Sequence, residues 1–191
     1  MASSSSKSVV LPAVILALRL LALAGLVASL VFIVTDPQVH SNITLVDDNK
    51  PISLRFKDVY TYRYVLAIAV IGCAYSLVQV PLAALTIAAK NRVIGRTANV
   101  ALFLICIDVI FAIVFATAAG ACYGFSHDAK RFVDGFFNDV DRLNLTDTDS
   151  IKLHNDLDMF FIRAYVAAGF MLLACKCTAV VIVLSAIALV K

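Results

Sequence analysis

Four long apolar runs, at residues 9–35, 64–89, 99–120 and 162–190, alternate with short polar stretches, and each run is long enough to cross a bilayer as a helix. The pattern predicts an all-α membrane protein: a four-helix transmembrane bundle with two outer loops, the second partly helical and the first a short hairpin. Residues 1–8 form a Ser-rich tail read as disordered, with one Lys7 and neither the Gly after Met that myristoylation needs nor an Arg-rich amphipathic pattern. The first run exceeds the ~7–15 residue apolar core of a signal peptide, which makes it an uncleaved anchor. The second contains Gln79 and Pro81. Pro81 cannot donate a hydrogen bond to the Leu77 carbonyl, so a kink is expected there. The fourth is ~43 Å long if wholly helical and must tilt or extend beyond the bilayer.

The connections set the orientation. Residues 90–98 hold Lys90, Arg92 and Arg96 without an acid, whereas 121–161 carry eight Asp against four Lys or Arg, so the short basic link is expected in the cytoplasm. Both termini, residues 1–8 and 191, then also lie in the cytoplasm, and 36–63 and 121–161 face outward. Two N-glycosylation sequons, at Asn42 and Asn144, fall one in each outer loop and agree with this. Within the first loop, 42–45 and 52–56 alternate around Asp47, Asp48, Asn49, Lys50 and Pro51, which suggests a hairpin. In the second, Phe132, Phe136, Val140 and Leu143 recur at helical spacing, so 128–143 is expected to be an amphipathic helix resting on the bundle or the headgroups. Asp149 or Ser150 is placed to cap a further helix leading into the fourth span.

Composition sharpens the class. Of 191 residues, 62% are hydrophobic and 15% charged, and the mean hydropathy is +0.94, which excludes a soluble domain. The net charge of +3 is spread between the apolar runs, leaving no basic surface for nucleic acid.

Charges inside the runs are few and therefore informative. Asp108 sits near the middle of the third span, where an unpaired carboxylate is expensive and implies a cation. Arg19 in the first span and Lys176 in the fourth are the candidates. Arg19 lies ~11 Å along its span from Pro12 and Asp108 ~14 Å along its own from Asn99, level within the uncertainty of the boundaries. Arg can also hold a carboxylate bidentately, so Arg19 with Asp108 is the expected pair. Lys176, ~22 Å back from Lys191, is a third charge placed to reach Asp108 or Tyr75. Such a pair fixes helix register; a proton or ion path would also want a relay of polar groups along one face. The Asp108 face is read instead as continuing through Ala112, Ala116 and Gly120, a helix contact, with similar small pairs at Gly25 and Ser29 and at Gly72 and Ser76.

Catalytic and cofactor chemistry has little to stand on. His40, His127 and His154 lie in the outer loops without ligand spacing and are read as solvated. Cys73, Cys106, Cys175 and Cys177 fall within spans, leaving Cys122 alone near the outer surface with no partner for an internal disulfide. The Asp-rich second loop has no twelve-residue calcium loop, and the sequence has no Glu to close one. No cofactor, metal or catalytic residue is expected.

Residues 18–23 (Leu-Arg-Leu-Leu-Ala-Leu), the stretch 64–77 with Cys73-Ala74-Tyr75-Ser76-Leu77, Asp108 and the short basic inner loop together resemble the plant CASP-like family, relatives of the Casparian strip membrane domain proteins. The resemblance covers all four spans. It implies that Arg19 and Asp108 are the family's characteristic intramembrane charges. It further implies a plasma-membrane location, cytoplasmic termini and assembly as homo- and hetero-oligomers with related four-span proteins. The founding members are scaffolds that organise membrane domains and direct local modification of the cell wall, so membrane lipid and extracellular wall-modifying enzymes are the implied partners. Lys176 is not a feature of that family, the first outer loop lacks the aromatic-rich signature of the strip scaffolds, and the second lacks their cysteine pair. A claudin would want a Trp and a tetraspanin several outer-loop Cys, and neither pattern is present. Two functions are therefore carried forward: a non-enzymatic membrane scaffold, and a small ion or proton channel or transporter using Asp108 and Lys176.

Overall fold

The computed structural model describes residues 4–35, 39–41, 52–54, 59–88, 98–142 and 148–190. Four helices, α1 (Ser4–Val34), α2 (Tyr60–Ala88), α3 (Ala98–Arg142) and α4 (Thr148–Val190), carry the fold, and two three-residue strands, β1 (Val39–Ser41) and β2 (Ile52–Leu54), lie between α1 and α2. Every helix is long and apolar enough to cross a membrane, and the chain is a multi-pass membrane protein. The sequons at Asn42 and Asn144 and the basic link at 90–97 lie outside the described residues.

Several local expectations are corrected. Helix α1 begins at Ser4, inside the stretch read as a disordered tail, and runs on through Pro12. A hairpin forms between 39–41 and 52–54, with β1 antiparallel to β2 in the register Val39 to Leu54, His40 to Ser53 and Ser41 to Ile52; the strand expected at 42–45 lies outside the described residues. Pairing starts close after α1 ends because β1 packs against α4, which anchors that end of the loop. Helix α4 begins at Thr148, so Asp149 and Ser150 lie in its first turn instead of capping it.

The largest departure is α3. The span expected to stop at Gly120 and the amphipathic helix expected at 128–143 are one helix of 45 residues, ~67 Å long. It continues because its inward stripe never breaks. Phe115, Ala118, Ala119, Cys122 and Ser126 are buried, and Ala129, Val133 and Phe137 carry the same face onward against α4. Phe132 and Phe136, expected to rest on the bundle or the headgroups, do not rest on the bundle: they are 78% and 57% exposed, because the phase set by the buried residues below puts them on the outer side. Alanines make the α3·α4 seam close: Ala118, Ala119, Ala164, Ala167 and Ala168 are all fully buried, and Ala174, equally buried, faces Gly25 of α1. Cross-contacts fix the register, with the Cys122 thiol donating to the Ala164 carbonyl and the Cys175 thiol to that of Ala112.

Around the bundle, α1 packs on α2 and α4, α3 packs on α4, and α2 meets α3 through the slightest interface. Arg163 donates to the Thr35 carbonyl at the end of α1, which marks one edge of the four-helix region. Beyond that level α3 and α4 run on as an antiparallel hairpin of ~20–25 Å. Tyr62 closes the bundle beneath it, hydrogen-bonded to Ser126 at 2.9 Å and packed edge-on against Phe125 and Phe160.

Candidate functional site

The polar centre of the bundle is Asp108, 1% exposed, on the inward face of α3. A buried carboxylate needs its charge opposed and its oxygens filled. Arg19 of α1 does both: Nη2 lies 2.7 Å from Oδ2 and Nη1 lies 3.2 Å from Oδ1, a two-pronged ion pair. Tyr75 of α2 donates its hydroxyl to Oδ1 and stacks its ring on Phe111, centroids 3.9 Å apart, while Gln79 Nε2 donates to the Tyr75 oxygen at 3.1 Å. Three helices therefore meet on one carboxylate, and the cluster is neutral within a single chain. Such a cluster locks register, since a one-turn slip of any member strands a charge.

Helix α4 contributes no charge to it. Thr178 and Val181 line the same small space, and the Thr178 hydroxyl is satisfied by the Ala174 carbonyl. Lys176 lies on the opposite, exposed side of α4, away from Asp108 and Tyr75. The reason is angular: Lys176 precedes Thr178 by two residues, about 200° around the helix.

The small residues divide in the same way. Gly25 and Ser29 are buried where α1 meets α4; a Cβ on Gly25 would sit 3.0 Å from the Phe170 carbonyl oxygen, and the Ser29 hydroxyl makes no hydrogen bond. Gly72 and Ser76 are buried on α2, with Gly72 directly under the Phe115 ring. Ala112 is half-buried, but Ala116 and Gly120 are exposed, and nothing lies within 4 Å of a Cβ on Gly120. Steps of four residues drift about 40° each, so 112, 116 and 120 wind away from the Asp108 face, which continues through Phe115, Ala119, Cys122 and Ser126. Tyr75 and Gln79 complete the site that the pair alone did not reveal; their signal was two polar residues four apart in an apolar run.

A cavity of about 240 Å³ opens from the end of the bundle where α1 begins and α4 ends, walled by Leu11, Ile15, Leu104 and Leu189, and reaches Arg19, Gln79 and Asp108. On the far side, Phe111 and Phe115 cover the carboxylate, and the remaining space there is about 10 Å³, roughly one water molecule.

A second polar group lies on the projecting hairpin. Lys130 Nζ is 2.7 Å from Asp158 Oδ1, His154 Nε2 is 3.1 Å from Asp134 Oδ1, and Phe137 packs on the His154 ring. His154 is thus a partly exposed residue held between Asp134 and Phe137, and ligand-type atoms of Asp134, His154 and Asp158 come within 4.8 Å of one another. The sequence hides this group because its members sit on two antiparallel helices. Lys130 already holds Asp158, so the group acts as an ion-paired clasp between α3 and α4. The hydrogen bond to Asp158 holds the Lys130 pKa above its usual 10.5. With the folded pKa raised, the clasp's contribution is fully present below pH 10.5 and is lost as pH rises through the folded value. Spin labels on the exposed Asn138 and Asn155 are expected to show a broadened distance distribution above that pH and, at neutral pH, in Lys130→Met. The clasp is half-exposed, so the effect is small, about 0.5 kcal/mol.

Comparison with known proteins adds a lineage to this geometry. The family model for the Casparian strip membrane protein domain matches residues 9–134. A CASP-like protein 4D1 of Sorghum bicolor is 46% identical over 195 residues, covering 98% of this chain and 96% of its own length. A CASP-like protein 4D2 of Arabidopsis thaliana is 32% identical, covering 98% of this chain and 95% of its own. No solved structure matches.

Proposed function

Because the chain belongs to the Casparian strip membrane protein domain family, we propose that it is a non-enzymatic plasma-membrane scaffold. It self-associates, joins related four-span proteins in hetero-oligomers, and holds its termini in the cytoplasm. The observation that carries this reading is the self-neutralised cluster at Asp108. Its charge is consumed in fixing α1, α2 and α3 against one another, as an assembly unit of constant shape requires and a conductor does not. The projecting α3·α4 hairpin and the β1·β2 loop would then be the surfaces offered to cell-wall-modifying enzymes outside, with glycans at Asn42 and Asn144.

The channel reading loses support from the same geometry. Lys176 faces away from Asp108, and the space between Asp108 and Phe115 narrows to about 10 Å³.

The test is the assembly state in native polymer nanodiscs, with and without Asp108→Asn. Wild type is expected as dimers or larger species, and the variant as monomers or aggregates. A wild-type monomer at native density would overturn self-association. Oligomers unchanged in a folded variant would show that assembly does not depend on the cluster.

A further inference from the structure

Lys176 is an ionisable group exposed on the outer face of α4 at the middle of an apolar run. Thirteen residues separate it from Arg163 and fourteen from Val190, about 20 Å in each direction. That is farther than a four-carbon stem can snorkel to water. It makes no ion pair among the described residues, so its ammonium faces hydrocarbon. The chain's one acid within its apolar runs is Asp108, buried and already held by Arg19 and Tyr75, so a second copy of this chain has no free carboxylate to bring. Two copies meeting through this face would oppose ammonium to ammonium.

The surroundings suit a helix. Lys176, Ala179, Val183 and Ala186 follow one another at alternating spacings of three and four, the seam of a left-handed helix pair. From Lys176 onward all four are exposed, and Ala179 and Ala186 leave room for close approach. A single charge in such a seam selects register and partner.

We infer that this α4 seam docks a transmembrane helix of a different membrane protein, one that carries an Asp or Glu at the bilayer midplane and pairs it with Lys176. The inference goes beyond the scaffold reading and does not need it, because a chain that never self-associates would still bind such a helix.

The full-length protein, donor-labelled and reconstituted in neutral phosphatidylcholine vesicles at low density, is titrated with acceptor-labelled single-span Leu/Ala peptides. One peptide carries a central Glu, one a Glu two turns from its end, and one none. Energy transfer to the central-Glu peptide is expected to reach half-saturation at about tenfold lower peptide density than for the other two. Lys176→Leu should erase the difference and Lys176→Arg keep it. Lys176→Leu puts an apolar residue on a lipid-facing position, so its fold should be intact. If that variant nevertheless misfolds, the depth dependence on wild type decides alone. Equal binding of all three peptides, or undiminished binding of the central-Glu peptide to folded Lys176→Leu, would overturn the inference. So would Lys176-dependent enrichment of anionic lipid, in vesicles that contain it, with no peptide preference.

Discussion

Asp108→Leu is expected to lower the stability of the bundle by about 3–5 kcal/mol, and Arg19→Leu added to it to restore most of that loss. The asymmetry follows from what each change leaves behind. Removing the carboxylate strands the Arg19 guanidinium, whose side chain is only 13% exposed, beside a Tyr75 hydroxyl that has lost its acceptor. Removing both charges leaves two apolar side chains in a site walled by Phe115, Val181 and Ala22, where hydrocarbon is at home. Tyr75→Phe removes one donor from a carboxylate that keeps both prongs of Arg19, so it should cost only about 1–2 kcal/mol. Reversible unfolding in bicelles measures all four proteins. A loss below about 1 kcal/mol for Asp108→Leu would mean that the carboxylate is not the keystone described above. If the double variant is stable yet fails to assemble, the pair does more than hold register.

Gly72→Ala should be the costliest change among the small-residue contacts, about 1–3 kcal/mol. The new methyl would sit 2.6 Å from Cε1 and 2.8 Å from Cζ of Phe115, with Leu26 Cδ1 at 3.1 Å on the other side. Neither neighbour has space to yield: Phe115 is 1% exposed and Leu26 fully buried. Because α2 meets α3 through the slightest interface of the bundle, displacing Phe115 would open the seam that covers Asp108. The double variant Gly72→Ala/Phe115→Leu is expected to be more stable than the sum of its parts by about 1 kcal/mol, the mark of a direct clash. Gly120→Ala makes the control, since its methyl meets open space and adds helix propensity. Additive behaviour in the first pair would refute the close approach.

The spans and the charge pair were legible in the sequence because both rest on strong, local signals: unbroken hydropathy, and charges too rare to be idle. Arg19 and Asp108 could be matched by depth alone. Their supporting residues were harder to see, since Tyr75 and Gln79 are polar but uncharged and become neighbours of Asp108 only through the packing of α2 on α3. The reading of Ala112, Ala116 and Gly120 as one face failed on angle, because spacing by four holds a face for one step and has left it by the second. The unbroken length of α3 was hidden by composition: glycines, a histidine and the first Asp of the loop, at Gly120, Gly124, His127 and Asp128, look like an ending. Phe115, Cys122, Ser126 and Val133 nevertheless kept the inward stripe in phase. The clasp of Lys130, Asp134, His154 and Asp158 was invisible for a different reason, being a product of antiparallel register and of no local pattern.

Because α3 and α4 pass from the four-helix region into the projecting hairpin without a joint, the protein has the mechanics of a lever. The arm of α4 outside the bundle, ~22 Å, is about half the ~40 Å arm within it, and the contact between Arg163 and Thr35 stands near the fulcrum. A sideways displacement of about 2 Å at the tip of the hairpin would tilt α4 by about 5° and swing its far end about twice as far the other way. Helices α1 and α2, tied to that lever through Ala174 and Asp108, would take up the torque. Whatever grips the hairpin thus acts on the packing at the opposite face of the bilayer, and tension at one surface becomes a change of footprint at the other.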